Sequence, residues 1–345
     1  MMKLWITCVI ITVAGWNSLT AQNPLDLFRS EIDTAFIKTY PKALTLKIFS
    51  NSKFIRFNIS GDNNTEIKYQ PNGSSTLGIG FNYKWIGLGI DFKIVDQDSQ
   101  ARYGESSYYD IQFQFNLRHG TFDLFLQNYE GFYIRNSASI LRNWPQDTYM
   151  KRPDVKVFSS GANYTHILNP HRFSYRAAFL QTETQRQSAG SVIMSGGINY
   201  HEINADSSLI PDDLIYAPDD AGDDFNRING ITTTARFGYA HTFVALQRFF
   251  LTLSADAGLS YGYIRVNPVG QEEINHHLSL QSNVSSRFAA GYNHGRWYAG
   301  MNTLYYIQVY RARSTDNTVG IEYGKINFTV AYRLMLEKEI DLPEL

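Results

Sequence analysis

The sequence has 345 residues, with 31 Lys and Arg against 32 Asp and Glu, and one cysteine. Near-zero net charge excludes a polycation wrapped on nucleic acid, whose affinity comes from neutralising phosphates. A hydrophobic fraction of 43% excludes a wholly disordered chain, and a single cysteine excludes a disulfide scaffold or a Cys-rich zinc site.

Lys3 is followed by an apolar stretch from Leu4 to about Gly15 and then by Asn17, Ser18, Leu19, Thr20 and Ala21. A charged start, a short apolar core and a small residue before a polar one form the pattern of a secretory signal, with cleavage expected after Ala21. The apolar stretch is too short to span a bilayer as a helix. The lone Cys8 lies inside it, so the exported chain is expected to be cysteine-free.

Beyond the signal the dominant period is two. Leu77, Ile79, Phe81 and Tyr83 alternate with Gly78, Gly80, Asn82 and Lys84; Ile111, Phe113, Phe115 and Leu117 alternate with Gln112, Gln114, Asn116 and Arg118. Leu251, Leu253, Ala255, Ala257 and Leu259 alternate with Thr252, Ser254, Asp256, Gly258 and Ser260. Successive strand side chains point to opposite faces, so each segment carries one apolar and one polar face. The pattern predicts strands over 76–84, 87–95, 108–118, 121–134, 155–167, 172–184, 190–203, 231–243, 249–265, 278–292, 297–310 and 319–333. A hairpin over 42–49 and 53–59 would raise the count from twelve to fourteen.

Half-polar strands suit either a soluble β-sandwich with its apolar face inside or an outer-membrane barrel with its apolar face on lipid. Strands of ten or more residues match a tilted membrane crossing. A polar face rich in Gly, Ser, Thr and Asn suits a crowded lumen. Tyr83, Trp85, Tyr108, Tyr109, Tyr292, Trp297 and Tyr298 fall near strand ends, where an interfacial aromatic girdle would lie. The expected fold is therefore all-β, a transmembrane antiparallel up-and-down β-barrel of about twelve strands. The expected organisation is a signal peptide over 1–21, an N-terminal extension over 22–75, the barrel over 76–334 and a tail over 335–345. One check fails: short turns and long loops should alternate around the barrel, and the phase slips between Gln181 and Gly190.

Several stretches carry a resemblance: Tyr40-Pro41 with Leu44-Thr45, Tyr69 with Pro71-Asn72, Arg152-Pro153-Asp154, and the run from Ser174 through Tyr175-Arg176-Ala177-Ala178-Phe179, Gln181, Glu183 and Gln185 to Ser188-Ala189-Gly190-Ser191. The chain resembles the Bacteroidota envelope family known as domain of unknown function 4421, over nearly all of the exported chain. The resemblance implies an outer-membrane β-barrel and no established activity, and it supplies no functional residues to carry over.

Candidate lumen residues are Asp91, Lys93, Asp110, Asp123, Arg176, Glu183, Gln185, Arg236, Asp256 and Arg287, with Arg118 and Arg333 on the same inward face. A lone ion in a narrow lumen costs several kcal/mol, so these charges must pair into a plug or line a polar path. The run from Gln181 to Ser188 is polar on both faces and reads as a strand continuing into water; Glu183 beside Arg176 or Arg186 is its alternative as a pocket. A rim hydrolase would need a nucleophile and a base, and Ser195, Asn199 and His201 share one face. Six residues of strand put about 20 Å between Ser195 and His201, too far for contact. No Gly-x-Ser-x-Gly or His-Glu-x-x-His motif is present, so no catalytic set, metal or cofactor is assigned. The acidic stretch 211–224 has oxygen ligands suited to calcium but not the spacing of an EF-hand, and reads as a solvated loop. The partners implied are the lipid bilayer of a Gram-negative outer membrane and its assembly machinery. The leading functional expectation is a structural or small-solute transport component, and the alternative is a lipid hydrolase or acyl-transfer enzyme at the barrel rim.

Overall fold

The computed structural model describes residues 31–340 apart from 62–65, 74, 85, 95–96, 216–223, 271–273 and 313–316. The signal-peptide expectation and most of the acidic stretch lie outside the described residues, as does the side chain of Lys93. The strands are β1 (Ile37–Thr39), β2 (Ala43–Ser60), β3 (Glu66–Gln70), β4 (Ser75–Tyr83), β5 (Ile86–Lys93), β6 (Ser107–Asn116), β7 (Gly120–Ile134) and β8 (Met150–Ile167). They continue as β9 (Glu183–Gln185), β10 (Ala189–Asn204), β11 (Phe225–Ala245), β12 (Phe249–Pro268), β13 (Asn275–His294), β14 (Trp297–Ala312) and β15 (Asn317–Met335).

Antiparallel ladders run from β7 through β8 and β10 to β15, and β15 pairs with β2 over eighteen residues to close the ring. Closure removes the edges that hydrocarbon would leave unsatisfied. The wall between β2 and β7 is built in two ways. At one end β3 bridges them, giving ten strands around the ring; at the other β4 and β5 extend from β2, and β6 from β7, giving twelve.

The faces are oriented as a membrane barrel requires. Phe113, Leu253 and Phe328 are 51%, 45% and 56% exposed on the outside, whereas Arg287 is 7% exposed and points in. Phe249 with Tyr292, and Trp297 with Tyr332, form part of an aromatic girdle beside the short turns. Turns are short at that end, as at Ala245–Arg248, where Leu246 and Gln247 both take positive φ in the tight geometry that suits strand twist. In bacterial barrels this end faces the periplasm and long loops face out.

Strands β11, β12 and β13 hold 20 or 21 residues, about twice a membrane crossing. Past the membrane the hydropathy of the two faces exchanges. On β2, Leu46 and Ile48 point out, then Ile55, Phe57 and Ile59 point in and are buried. This exchange overturns the expected hairpin over 42–49 and 53–59: the apolar residues change parity because the solvent outside changes from lipid to water. The expected N-terminal extension is thereby corrected as well, since β2 is the closing strand. The tail docks on the β4–β5 turn through the Tyr83 hydroxyl against the Ile340 backbone and Lys84 against Glu339 at 2.8 Å.

The belt predicts a depth-dependent penalty. Ile79→Arg, in the belt, should destabilise the barrel by about 2–4 kcal/mol, and Asn58→Arg, on the outer extension of β2, by about 0–1 kcal/mol. Urea unfolding in lipid vesicles reads both; equal penalties would place the belt wrongly.

Candidate functional site

The predicted strand 172–184 does not exist. After β8 the chain turns into the barrel mouth, makes a π-helical turn at Arg176–Leu180 and returns through β9 to β10. Strand β9 pairs with β1, so residues 31–41 and 168–188 together form a plug at the short-turn end. This inward excursion is the physical cause of the slipped loop phase. Gln181 to Gln185 is polar on both faces because this part of the plug meets protein on every side.

Glu183, expected on a solvated extension, is buried and receives two guanidinium hydrogen bonds from Arg118 of the β6–β7 turn. Arg176 stands 3.8 Å from the same carboxylate and donates to the Asn116 carbonyl at 2.8 Å. Gln185 accepts from the Ser174 amide at 3.1 Å and donates to the Arg172 carbonyl, which fixes the bend of the segment. Arg333 of β15 is fully buried and stacks 4.4 Å over Tyr40. It donates to the Gln181 carbonyl at 3.0 and 2.8 Å, to Gly295 O at 2.8 Å and to Asn293 Oδ1 at 2.6 Å. Gln181 holds a positive φ of 61°, which turns its carbonyl to that guanidinium. Asn82 and Asn293 complete the anchoring, donating to Leu180 O at 2.6 Å and to Ala177 O at 3.1 Å. Sequence reasoning assigned neither Asn82 nor Asn293 to any site, and it placed Tyr298 in the outer aromatic girdle; that ring is instead buried, its hydroxyl donating to Ala178 O of the plug at 3.3 Å.

Above the plug the lumen is crossed by charge. Arg287 of β13 binds Asp123 of β7, on the far side of the ring, and lies 5.7 Å from the Tyr175 ring of the plug. Arg236 of β11 binds Asp256 of β12 at 2.9 Å, and Ser195 donates to the other Asp256 oxygen. Asp110 accepts from Tyr129 at 2.7 Å and from Gln127 at 2.9 Å. Asp91 accepts from Thr76 and Asn51 at 2.7 and 3.1 Å, at the end of an amide chain running Asn302, Asn327, Asn51. Ionic groups taken from water need such saturation, since leaving one unpartnered costs several kcal/mol.

The outer half of the interior is apolar, where a polar lumen was expected. Ile55, Phe57, Tyr129, Val157, Phe225 and Ile264 belong to one core there, capped by Ile140, Leu141, Leu209 and Leu214 from the two long loops. A clasp holds the cap: Tyr69 donates to Leu209 O at 2.6 Å, and Arg152 spans Asp154 at 2.8 Å and the Ser208 carbonyl at 2.9 Å. The Arg152 guanidinium holds the Asp154 carboxyl below its usual range, outside the membrane belt. The stretches that carried the family resemblance thus fall at the two closures: Tyr40 and the run from Ser174 at the plug, Tyr69 and Arg152-Pro153-Asp154 at the clasp.

Ser195, Asn199 and His201 do not converge. Ser195 bonds Asp256, Asn199 bonds Asn163, and His201 bonds Ser159 at 2.9 Å between the rings of Phe125 and Tyr323. Among the described residues no three His, Cys, Asp or Glu side chains come together as a metal site.

The translocator domain of autotransporter NalP from Neisseria meningitidis is similar over 88% of this chain and 90% of its own, at 12% identity and a TM-score of 0.35. The Pseudomonas putida toluene transporter TodX is similar over 86% of this chain and 91% of its own, at 8% identity and a TM-score of 0.21. OmpT, an outer membrane protein of Vibrio cholerae, is similar over 85% of this chain and all of its own, at 10% identity and a TM-score of 0.17. No curated protein matches the chain. The barrel assignment therefore rests on this chain's own closed ladder and lipid-facing belt. The sequence model of one family matches residues 31–334, and the chain belongs to that family, described as Domain of unknown function (DUF4421).

Proposed function

We propose that the protein is a closed outer-membrane barrel serving the envelope as a structural component in its resting form, with passage of a small solute requiring the plug to leave. The observation that carries this reading is the Arg287–Asp123 bridge across the lumen, directly above a plug whose Glu183 is locked by Arg118. A conducting pore would need these charges hydrated along an open path, whereas each is spent on a protein partner. The apolar core under the two long loops supports the same reading from the other end, because water does not fill a volume packed with aliphatic and aromatic side chains.

The test is conductance. Purified protein inserted in planar bilayers should give a stable baseline with no discrete steps at moderate voltage and neutral pH. Regular single-channel steps from the unmodified protein would sink the closed reading.

A further inference from the structure

The ladder around the ring has one gap. Among the described residues β5 pairs only with β4 and β6 only with β7, so the edges of β5 and β6 face one another without a ladder. Both edges lie in the lipid belt, with Ile90 and Phe92 on one side and Ile111 and Phe113 on the other. Hydrocarbon satisfies no backbone group, so an unpaired edge at this depth persists only where it is buried in protein or lines a wet cavity.

A cavity lies behind β6. It has a volume of about 40 Å³ and reaches from Gln112 and Gln114 on the gap strand to Arg236, Arg287 and Lys325 at the centre of the barrel. A buried water needs about 10–15 Å³ by this measure, so the chamber takes about three waters or one group of carboxylate size.

The chamber is short of one negative charge. Lys325 of β15 sits directly opposite Lys53 of β2 in the ladder, an arrangement in which like charges repel. Lys53 turns to Asp110, 3.7 Å from its carboxylate and 3.0 Å from its backbone oxygen on the gap strand. Arg236 and Arg287 have Asp256 and Asp123. Beyond its backbone pairing in the ladders, Lys325 makes no side-chain hydrogen bond or ion pair among the described residues. Its side chain lines the chamber beside Arg236 and Arg287, which are already matched.

We propose that this chamber binds the carboxylate of a single-chain amphiphile that enters sideways from the bilayer between β5 and β6. Lys325 receives the headgroup, Gln112 and Gln114 donate to it, and the apolar chain leaves through the gap alongside Phe92 and Phe113. A single negative charge completes the balance. The chamber size suits a carboxylate, and the position of the gap in the belt demands an apolar tail. The site lies above an intact plug, so it does not depend on the barrel opening along its axis.

Equilibrium binding of radiolabelled hexadecanoate to the full chain in detergent tests this, with hexadecanol and acetate as comparison ligands. Saturable binding of hexadecanoate is expected, with hexadecanol weaker by about tenfold or more, the scale of a charge-assisted hydrogen bond in a desolvated site. Lys325→Met should lose about the same factor and Lys325→Arg should keep most of the affinity, each verified as folded by heat-modifiable migration on gels. If Lys325→Met does not fold, Lys325→Gln takes its place. Equal affinity for the alcohol and the acid, undiminished binding by the folded Met or Gln variant, or displacement by acetate at equal concentration would overturn the proposal. Channel recordings report separately on the closed barrel.

Discussion

Replacing residues 169–187 by a short Gly/Ser linker between Leu168 and Ser188 should open a wide mouth at the short-turn end of the barrel without unfolding it. The segment contributes no strand to the ring: β8 and β10 pair with each other directly, over twelve registered residues from Lys156 with Asn204 to Ile167 with Ile193. Its removal strips Arg118 and Arg333 of Glu183 and of the Gln181 carbonyl. Both guanidiniums would then stand in a water-filled mouth, and hydration replaces the lost partners, so the penalty is far below that of a charge left dry. Conductance should nonetheless stay low, because the Arg287–Asp123 bridge and the apolar outer core remain in place. The informative measurement is therefore a pair of recordings. The deletion alone should admit reagents only from the short-turn side, seen as maleimide labelling of a cysteine placed at Ser254, which the Tyr175 hydroxyl covers at 2.6 Å in the intact protein. Discrete current steps should require the deletion together with loss of both remaining barriers, the Arg287–Asp123 bridge and the apolar outer core with its cap at 205–214. If the Ser254→Cys site labels equally with the plug present, the plug does not seal the barrel.

Much of this fold was legible in the alternation of residues. Ile79 with Phe81, Phe113, Leu253 and Phe328 mark a lipid face because lipid on one side and polar protein on the other impose a strict period of two. The same argument placed Asp123, Arg236, Asp256 and Arg287 inside, and the structure finds them there as two ion pairs. Where the surroundings change, the period misleads. On β2 the exterior passes from lipid to water between Ile48 and Ile55, so the apolar parity flips in an unbroken strand and mimics a turn. From Phe173 to Gln185 both faces meet protein, and a plug segment reads as a strand that runs into solvent. Arg333 gave no hint of its role either, since its acceptors are mostly backbone carbonyls, of Gln181 in the plug and of Gly295 in a turn, which no side-chain pattern records.

Arg287→Met should destabilise the barrel by about 3–5 kcal/mol, and adding Asp123→Leu should recover most of that loss. The reasoning follows from what each change leaves behind. Met retains the apolar stem that packs near Tyr175 and removes only the charge, so packing changes little. The single variant strands the Asp123 carboxylate, whose remaining donor is Gln114 at 2.9 Å, among the described residues. A carboxylate with one neutral hydrogen-bond donor, near the Lys325 ammonium but not bonded to it, recovers only part of its desolvation cost. The double variant removes both ions and fills the crossing with hydrocarbon, which in buried pairs is often neutral or better. Asp123→Leu alone should be the worse of the two singles, because it leaves Arg287 beside the already unmatched Lys325 and raises the positive excess in one small chamber. Urea unfolding in vesicles, followed by tryptophan emission, gives the four corners of the cycle. A coupling of about 3 kcal/mol identifies a dry bridge across the lumen; additive effects within about 0.5 kcal/mol would mean that the two charges are independently solvated and that the centre of the barrel is wet.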